Sequence, residues 1–507
     1  MKSAFLGTLC TVLIGASFLA VGAPAITDSV AKTYYLDCAS GNDQADGTAV
    51  ESPWKSLAKI SGTTFQPGDA IKIKSGTSCV GTLAPQGSGT AEAPITIDAY
   101  GAGAAPQIQG AGASRAIKLY NQQGWEIRNL DVSNKGASVG NRRAVSVELK
   151  DFGTASHIVL ENLSIHDVNG DDTKDTGGSG GIYFSITGTA VQTAFEDLLV
   201  KNNSIRSVDR EGIFMVSTWN RSGFEVQSAG TFLPWANVVI SGNQLADLGG
   251  DGIVPGNTTG ALVEHNKVDG FQKRSAGYNA GMWTYDSDNT VFRYNEATGG
   301  TTTRDGMAYD VDQGTDGVIF QYNYSHHNAG GFLLLCNANG ILKNAVVRYN
   351  ISIDDSYRGV ENCSGTIESA AVYNNSIYIG PGISQSVIQE NNTTKRNVSF
   401  RNNIVVKRGS GAASINLASG GYQLSNNDFV NVKKAPAGEG ISSEPKFVSE
   451  AMGPAGFKLC SGSPALAAGS TIADNGGQDY FGNSIPESGA PNIGAYAGAA
   501  VSCPVAK

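Results

Sequence analysis

The sequence predicts an all-β protein: a single chain wound into a parallel β-helix, a solenoid with an asparagine ladder and capped ends. Three observations carry that expectation. An asparagine ends an apolar strand again and again at similar intervals. Glycine-led apolar strands recur between those asparagines. The 507 residues include 65 glycines and only 16% charged residues, which suits many short strands and tight turns better than amphipathic helices.

The asparagines come first because they set the period. Stretches such as VVISGNQL at 238–245 and VVRYNIS at 346–352 place them at Asn129, Asn162, Asn203, Asn243, Asn266, Asn295, Asn323, Asn350, Asn375, Asn403 and Asn427. From Asn243 onward the interval is 23 to 29 residues, whereas the earlier intervals of 33 to 41 imply loops inserted into a similar turn. Asparagine tolerates the left-handed conformation a sharp corner needs, and stacked amides can hydrogen-bond from rung to rung. A rung cannot bury its own apolar edges, so neighbours must cover them and the ends need caps.

The expected organisation is a signal segment over residues 1–25, an N-terminal cap with its first strands over 26–115, rungs over 116–440 and a closing segment over 441–507. Residues 1–25 place Lys2 before an apolar run and end in Ala23-Pro24-Ala25, a small-x-small cleavage pattern. Secretion to an extracellular or periplasmic destination is therefore expected. Six cysteines remain after Cys10, and proximity suggests Cys38–Cys79, Cys336–Cys363 and Cys460–Cys503 among 15 possible pairings. A net charge of −9 without a dense basic block argues against nucleic-acid binding, and no later apolar run suggests a membrane span. The expected working form is a monomer with a polysaccharide or oligosaccharide as its partner.

The asparagine register, the opening YYLDCASGNDQADGTAVESPWKSL at 34–57, GDAIKIKSG at 68–76 and the closing DYFGNSIPESGAPNIGAY at 479–496 resemble the right-handed parallel β-helix superfamily that includes pectate lyases and polygalacturonases. The resemblance spans roughly Tyr34 to Ala497. It implies a secreted enzyme acting on polysaccharide.

Aligning the strands on their leading glycines puts Ile182, Ile213, Ile253, Met282, Met307, Phe332 and Val360 in one inward column. Alternation then turns Tyr183, Phe214, Val254, Trp283, Ala308, Leu333 and Glu361 outward, with Tyr285, Asp310 and Leu335 in a second outward column. Asp310 stands out because aspartate is disfavoured in mid-strand. The expected catalytic carboxylates are Asp310 with one of Asp305, Asp286 or Asp251. Trp283, Tyr285, Arg304, His326, His327, Glu211 and Asp312 are expected to hold the sugar, converging on one cleft. Trp283 has a competing reading, in which the inserted loop over 215–235 covers it.

Glycosidic hydrolysis needs two carboxyl groups, one donating a proton to the leaving oxygen and one acting as nucleophile or activating water. A secreted glycoside hydrolase without a cofactor or metal is the leading expectation. A polysaccharide lyase or uronan epimerase is the alternative, with Lys273, Arg274, Arg304, His326 or Tyr309 as base and the aspartates holding Ca²⁺. A non-catalytic glycan-binding surface protein is the third.

Overall fold

The computed structural model describes residues 30–503 apart from 176, 392–395 and 419–420. The expected signal segment, residues 1–25, lies outside them. Among the described residues the chain forms three long sheets. The first holds 15 strands, from Thr33–Leu36 to Tyr422–Ser425; the second 14, from Ser78–Val80 to Gly440–Ile441; the third 12, from Arg115–Tyr120 to Val432–Lys433. One turn of the coil runs through Arg143–Lys150 in the third sheet, Thr154–Glu161 in the first and Ser164–Val168 in the second. The next turn begins at Gly180–Thr187, parallel to Arg143–Lys150. The expected parallel β-helix is the fold.

Its interior is built from columns of like side chains. In the first sheet Ile240, Val263, Phe292, Phe320, Val347 and Val372 are register partners in series, all buried. Phe292 and Phe320 stack with centroids 4.2 Å apart. Each such side chain contributes about 1.5–3 kcal/mol on burial.

The asparagine ladder forms at the corner between the first and second sheets. Asn323 Nδ2 donates to Asn350 Oδ1 and to Phe292 O, both at 3.0 Å, and its backbone N donates to the same Oδ1 at 2.9 Å. The amide contacts repeat from Asn203 to Asn427. Two expected members do not join. Asn129 and Asn162 have φ of 57° and 55° and occupy the left-handed position one residue before the ladder, where later rungs carry Gly242, His265, Tyr294, Tyr322 and Tyr349. The ladder positions of those two rungs belong to the buried Leu130 and Leu163. Sharp turning and amide stacking are thus divided between two adjacent residues.

The cap at the N-terminal end includes the short helix Leu57–Ser61, whose Lys59 N is capped by the Ser56 side chain and whose Leu57 and Ile60 are buried. The three disulfides are those expected, Cys38–Cys79, Cys336–Cys363 and Cys460–Cys503. The closing segment packs Ile485 against Tyr322, Tyr349 and Tyr373 of the coil.

The third sheet departs from the expected register at one place. Ile182, Ile213, Ile253 and Met282 are partners as expected, but Met282 pairs with Tyr309 and Trp283 with Asp310. The bridge Asn279–Asp305 has an offset of 26, whereas Met282–Tyr309 has 27. One extra residue is therefore accommodated between them, as in a bulge. Tyr309 turns inward and donates to Asn295 O and Tyr324 O inside the coil, in the column expected for Met307. Ala308, Leu333 and Leu335, expected outside, are buried in the main core, and Leu334 partners Asp310 instead.

Candidate active site

The strand Met307–Val311 presents Asp310 on the outer face of the third sheet, and the chain continues into Asp312. Alternate residues lie on one side of a strand about 6.8 Å apart. Asp305 precedes the strand in the left-handed turn formed with Gly306, with φ of 51° and 64°. The turn is held from the neighbouring rungs. Arg358 Nη2 donates to Thr303 O at 3.0 Å and to Asp305 O at 2.8 Å. Gly330 lies so close that a Cβ there would stand 1.8 Å from Asp305 O.

These three carboxyl groups share an electrostatic environment that disfavours charge. Burial pushes Asp310 well above the usual carboxylate range, and the charges of Asp312 and Asp305 push it further. Its Oδ1 is buried without a hydrogen-bond partner, and among the described residues no hydrogen bond ties the carboxyl down. Asp312 is raised to about 7, chiefly by burial, although Gln313 N donates to its Oδ1 at 2.7 Å. Asp305 is raised to about 6, again by burial, with Arg358 opposing and Glu361 adding to the shift. Asp305 is half-buried, Asp312 is 8% exposed and Asp310 4% exposed. The arrangement can hold a proton near neutral pH and present an ionised carboxylate beside it.

Around this strand the other expected residues divide. Asp251 is fully buried. Its Oδ1 accepts from Trp283 Nε1 at 2.8 Å and Ala280 N at 2.7 Å, and its Oδ2 faces Lys174 Nζ at 2.9 Å. Glu211 is buried against Arg210 at 3.0 Å, with burial raising it to about 8. Both acids are committed to internal contacts, Asp251 as the support of Trp283 and Lys174. Asp286 accepts from Ser222 N at 3.0 Å and Ser222 Oγ at 2.6 Å, so it anchors the loop over 217–235.

That loop covers the expected sugar platform. Phe224 lies edge-on to Trp283 and Tyr285 at 6.2 and 5.6 Å, leaving them 3% and 1% exposed, and Tyr285 donates to Met215 O. Neither offers a free face to a sugar. Lys174, from the loop over 169–179, stands 4.3 Å above the Trp283 ring and 3.6 Å from Glu225. Its charge lowers Asp305, Asp310 and Asp312 alike.

Arg304 remains beside the site, 5.0 Å from the ring of Tyr278, an aromatic side chain 63% exposed at the rim. The expected convergence of His326 and His327 does not occur. His326 lies in Tyr324–His326 of the second sheet, stacked on Tyr324, and His327 follows it in a left-handed corner. Lys273 and Arg274 pair with Asp247 at 3.0 and 2.8 Å on that same side of the coil.

The sequence assigned no site role to Lys174, Glu225, Arg358, Glu361 or Tyr278, although Glu361 fell in its outward column. Arg358 and Glu361 carried a usable signal, since opposite charges three apart in a strand leading with glycine form a buried ion pair here. Lys174 and Glu225 lie in inserted loops, where no periodicity says what they face.

A family model described as "Right handed beta helix region" matches residues 190–377. Lacto-N-biosidase of Bifidobacterium longum subsp. longum is 26% identical across 95% of this chain and 37% of its own length. The crystal structure of a GH136 lacto-N-biosidase from Eubacterium ramulus is similar at 26% identity with a TM-score of 0.61, over 71% of this chain and 65% of that one. A complex of XylC with xylose, 12% identical with a TM-score of 0.50 over 93% and 99%, shares the fold. The chain thus spans about a third of the curated relative it matches and about two-thirds of the Eubacterium ramulus chain.

Proposed function

We propose that this chain is a glycoside hydrolase that cleaves an oligosaccharide at Asp305, Asp310 and Asp312, and that glycans bearing a lacto-N-biose unit are its first substrates to test. The observation that carries the reading is the grouping of three carboxyl groups along the strand Met307–Val311 and its two flanks, with Asp305 and Asp310 making no side-chain hydrogen bond to a described residue. Structural aspartates are normally capped or paired, as Asp251 and Asp286 are. The similarity to two lacto-N-biosidases supports the reaction class and supplies the substrate class.

Roles follow from the electrostatics. Asp310 and Asp312 cannot both ionise cheaply in a buried site, so they share a proton, and Asp312, the more exposed of the two, delivers it to the leaving oxygen. Asp305 ionises first and serves as the carboxylate that attacks the anomeric carbon or takes the proton of the attacking water. Carboxyl chemistry and water suffice, with no cofactor. Replacement of Asp305 or Asp312 by Asn is expected to lower turnover of a lacto-N-biosyl glycoside by at least about 100-fold, the scale of acid–base catalysis. Steady-state rates with a folding control decide it.

The placement of the bases disfavours the lyase and epimerase reading. Tyr309 is inside the coil, His326 is on another sheet, and Lys273 and Arg274 are engaged with Asp247. Apart from Tyr309, which lies in the strand but faces inward, only Arg304 of the five candidates borders it.

A further inference from the structure

The corner between the first and second sheets carries a second aromatic feature, away from the three aspartates. His265, Tyr294 and Tyr322 occupy successive left-handed positions and stack, with centroids 5.1 and 5.2 Å apart. On the adjacent second-sheet face, Tyr324 stacks on His326 at 4.3 Å and an 18° angle. Pro454 and Tyr480 of the closing segment come over this corner and leave a crevice of about 400 Å³ lined by Tyr294, Glu296, Tyr322, Tyr324, Pro454 and Tyr480. The volume is that of a small-ligand site.

Its polar groups are available. Glu296 Oε1 is held by Lys267 at 2.7 Å and His326 at 3.2 Å, while its Oε2 and the hydroxyls of Tyr324 and Tyr480 make no hydrogen bond to a described residue. His326 and Lys267 keep the Glu296 carboxyl at about 2, so an ionised acceptor faces the opening. Tyr294 hydroxyl is already engaged, accepting from Gln478 at 2.6 Å.

We infer that this crevice is an accessory binding site for a neutral oligosaccharide, distinct from the site of cleavage. Pyranose rings have apolar C–H faces that pack on tyrosine rings, and their hydroxyls donate to a carboxylate and to phenol oxygens. A flat hydrocarbon ligand would waste Glu296, and a uronate would be repelled by it. A glycan joins both properties. The inference rests on the carbohydrate-active reading above, and its role would be to hold substrate chains near the enzyme while another stretch is cleaved.

The test uses a tetrasaccharide containing lacto-N-biose and the full chain carrying Asp312→Asn, so that the sugar persists during calorimetric titration. Two sites are expected. Adding Tyr324→Ala, or independently the shape-conserving Glu296→Gln, should weaken one of them at least fivefold. Either change in the otherwise unaltered enzyme should leave hydrolysis of a short chromogenic glycoside unchanged. A single site insensitive to both substitutions, or no binding at all, would overturn the inference. Loss of hydrolysis by the parent enzyme with crevice binding intact would instead count against the proposed reaction and leave the accessory site standing.

Discussion

Asp310 differs from buried aspartates such as Asp251, Asp286 and Asp355 in that neither of its carboxyl oxygens makes a hydrogen bond to a described residue. Asp286 has two contacts from Ser222 and Asp355 has contacts from Ser325, Ser352 and Asn328, whereas Asp310 Oδ1 is buried without a partner. The charge of an ionised Asp312 raises Asp310, so the pair gives up its last proton at a higher pH than Asp312 would alone. Asp310→Asn is therefore expected to move the alkaline limb of kcat/KM to lower pH, which a rate profile between pH 4 and 9 will show; an unmoved limb would mean the two groups do not share a proton. The ladder asparagines make a separate prediction. Asn323→Ala deletes the amide between Asn295 and Asn350 and strands buried backbone groups at about 1–3 kcal/mol each. Denaturant unfolding should register a loss of about 2–4 kcal/mol. Asn162→Ala, at a left-handed corner outside the ladder, should cost less than half of that.

At the scale of elements, the inward strands and the ladder were legible because burial leaves a period in the sequence. The outward face was legible only in part. Gly306 looks like the leading glycine of the other strands, but it is spent on the left-handed turn after Asp305, and Ala308 stands in line with Gly281 instead. The expected alignment therefore slipped at Asp310, although it kept that residue outside. His326 and Trp283 failed for different reasons. Sequence spacing does not say which sheet a strand joins, and a loop inserted between rungs covers a face that alternation alone would expose. Lys174 is the clearest case of loop chemistry acting on strand chemistry. It bridges the loop over 169–179 to Asp251 and Glu225 and lowers all three aspartates of the site. Lys174→Met should shift the acidic limb of kcat/KM upward in pH, with Lys174→Arg restoring it; identical profiles would remove Lys174 from the electrostatics of the site.

For the whole molecule the buried carboxyls set how stability responds to pH. Asp286, Asp305 and Asp355 are raised to about 6, Asp312 to about 7 and Glu211 to about 8, each chiefly by burial. Between pH 5 and 8 the folded chain therefore binds more protons than the unfolded chain, whose carboxyls titrate near 4. Stability from these groups is fully present below their unfolded values and is lost as pH rises through 6 to 8. Asp98, Glu126 and Glu148 are shifted downward, so their contribution is lost only as pH falls below about 4. Thermal melting should consequently be higher at pH 5 than at pH 8, and the reverse order would show that the acids are solvated in solution. The same burial that lowers stability at neutral pH holds the site's protons in place.

The most direct test of these carboxyls as a hydrolytic centre is the rate of lacto-N-biosyl glycoside cleavage by Asp305→Asn and Asp312→Asn, measured beside their thermal melts. The account predicts that each variant melts at or above the temperature of the parent chain and loses at least about 100-fold in kcat/KM. Turnover within tenfold of the parent in both folded variants would contradict it.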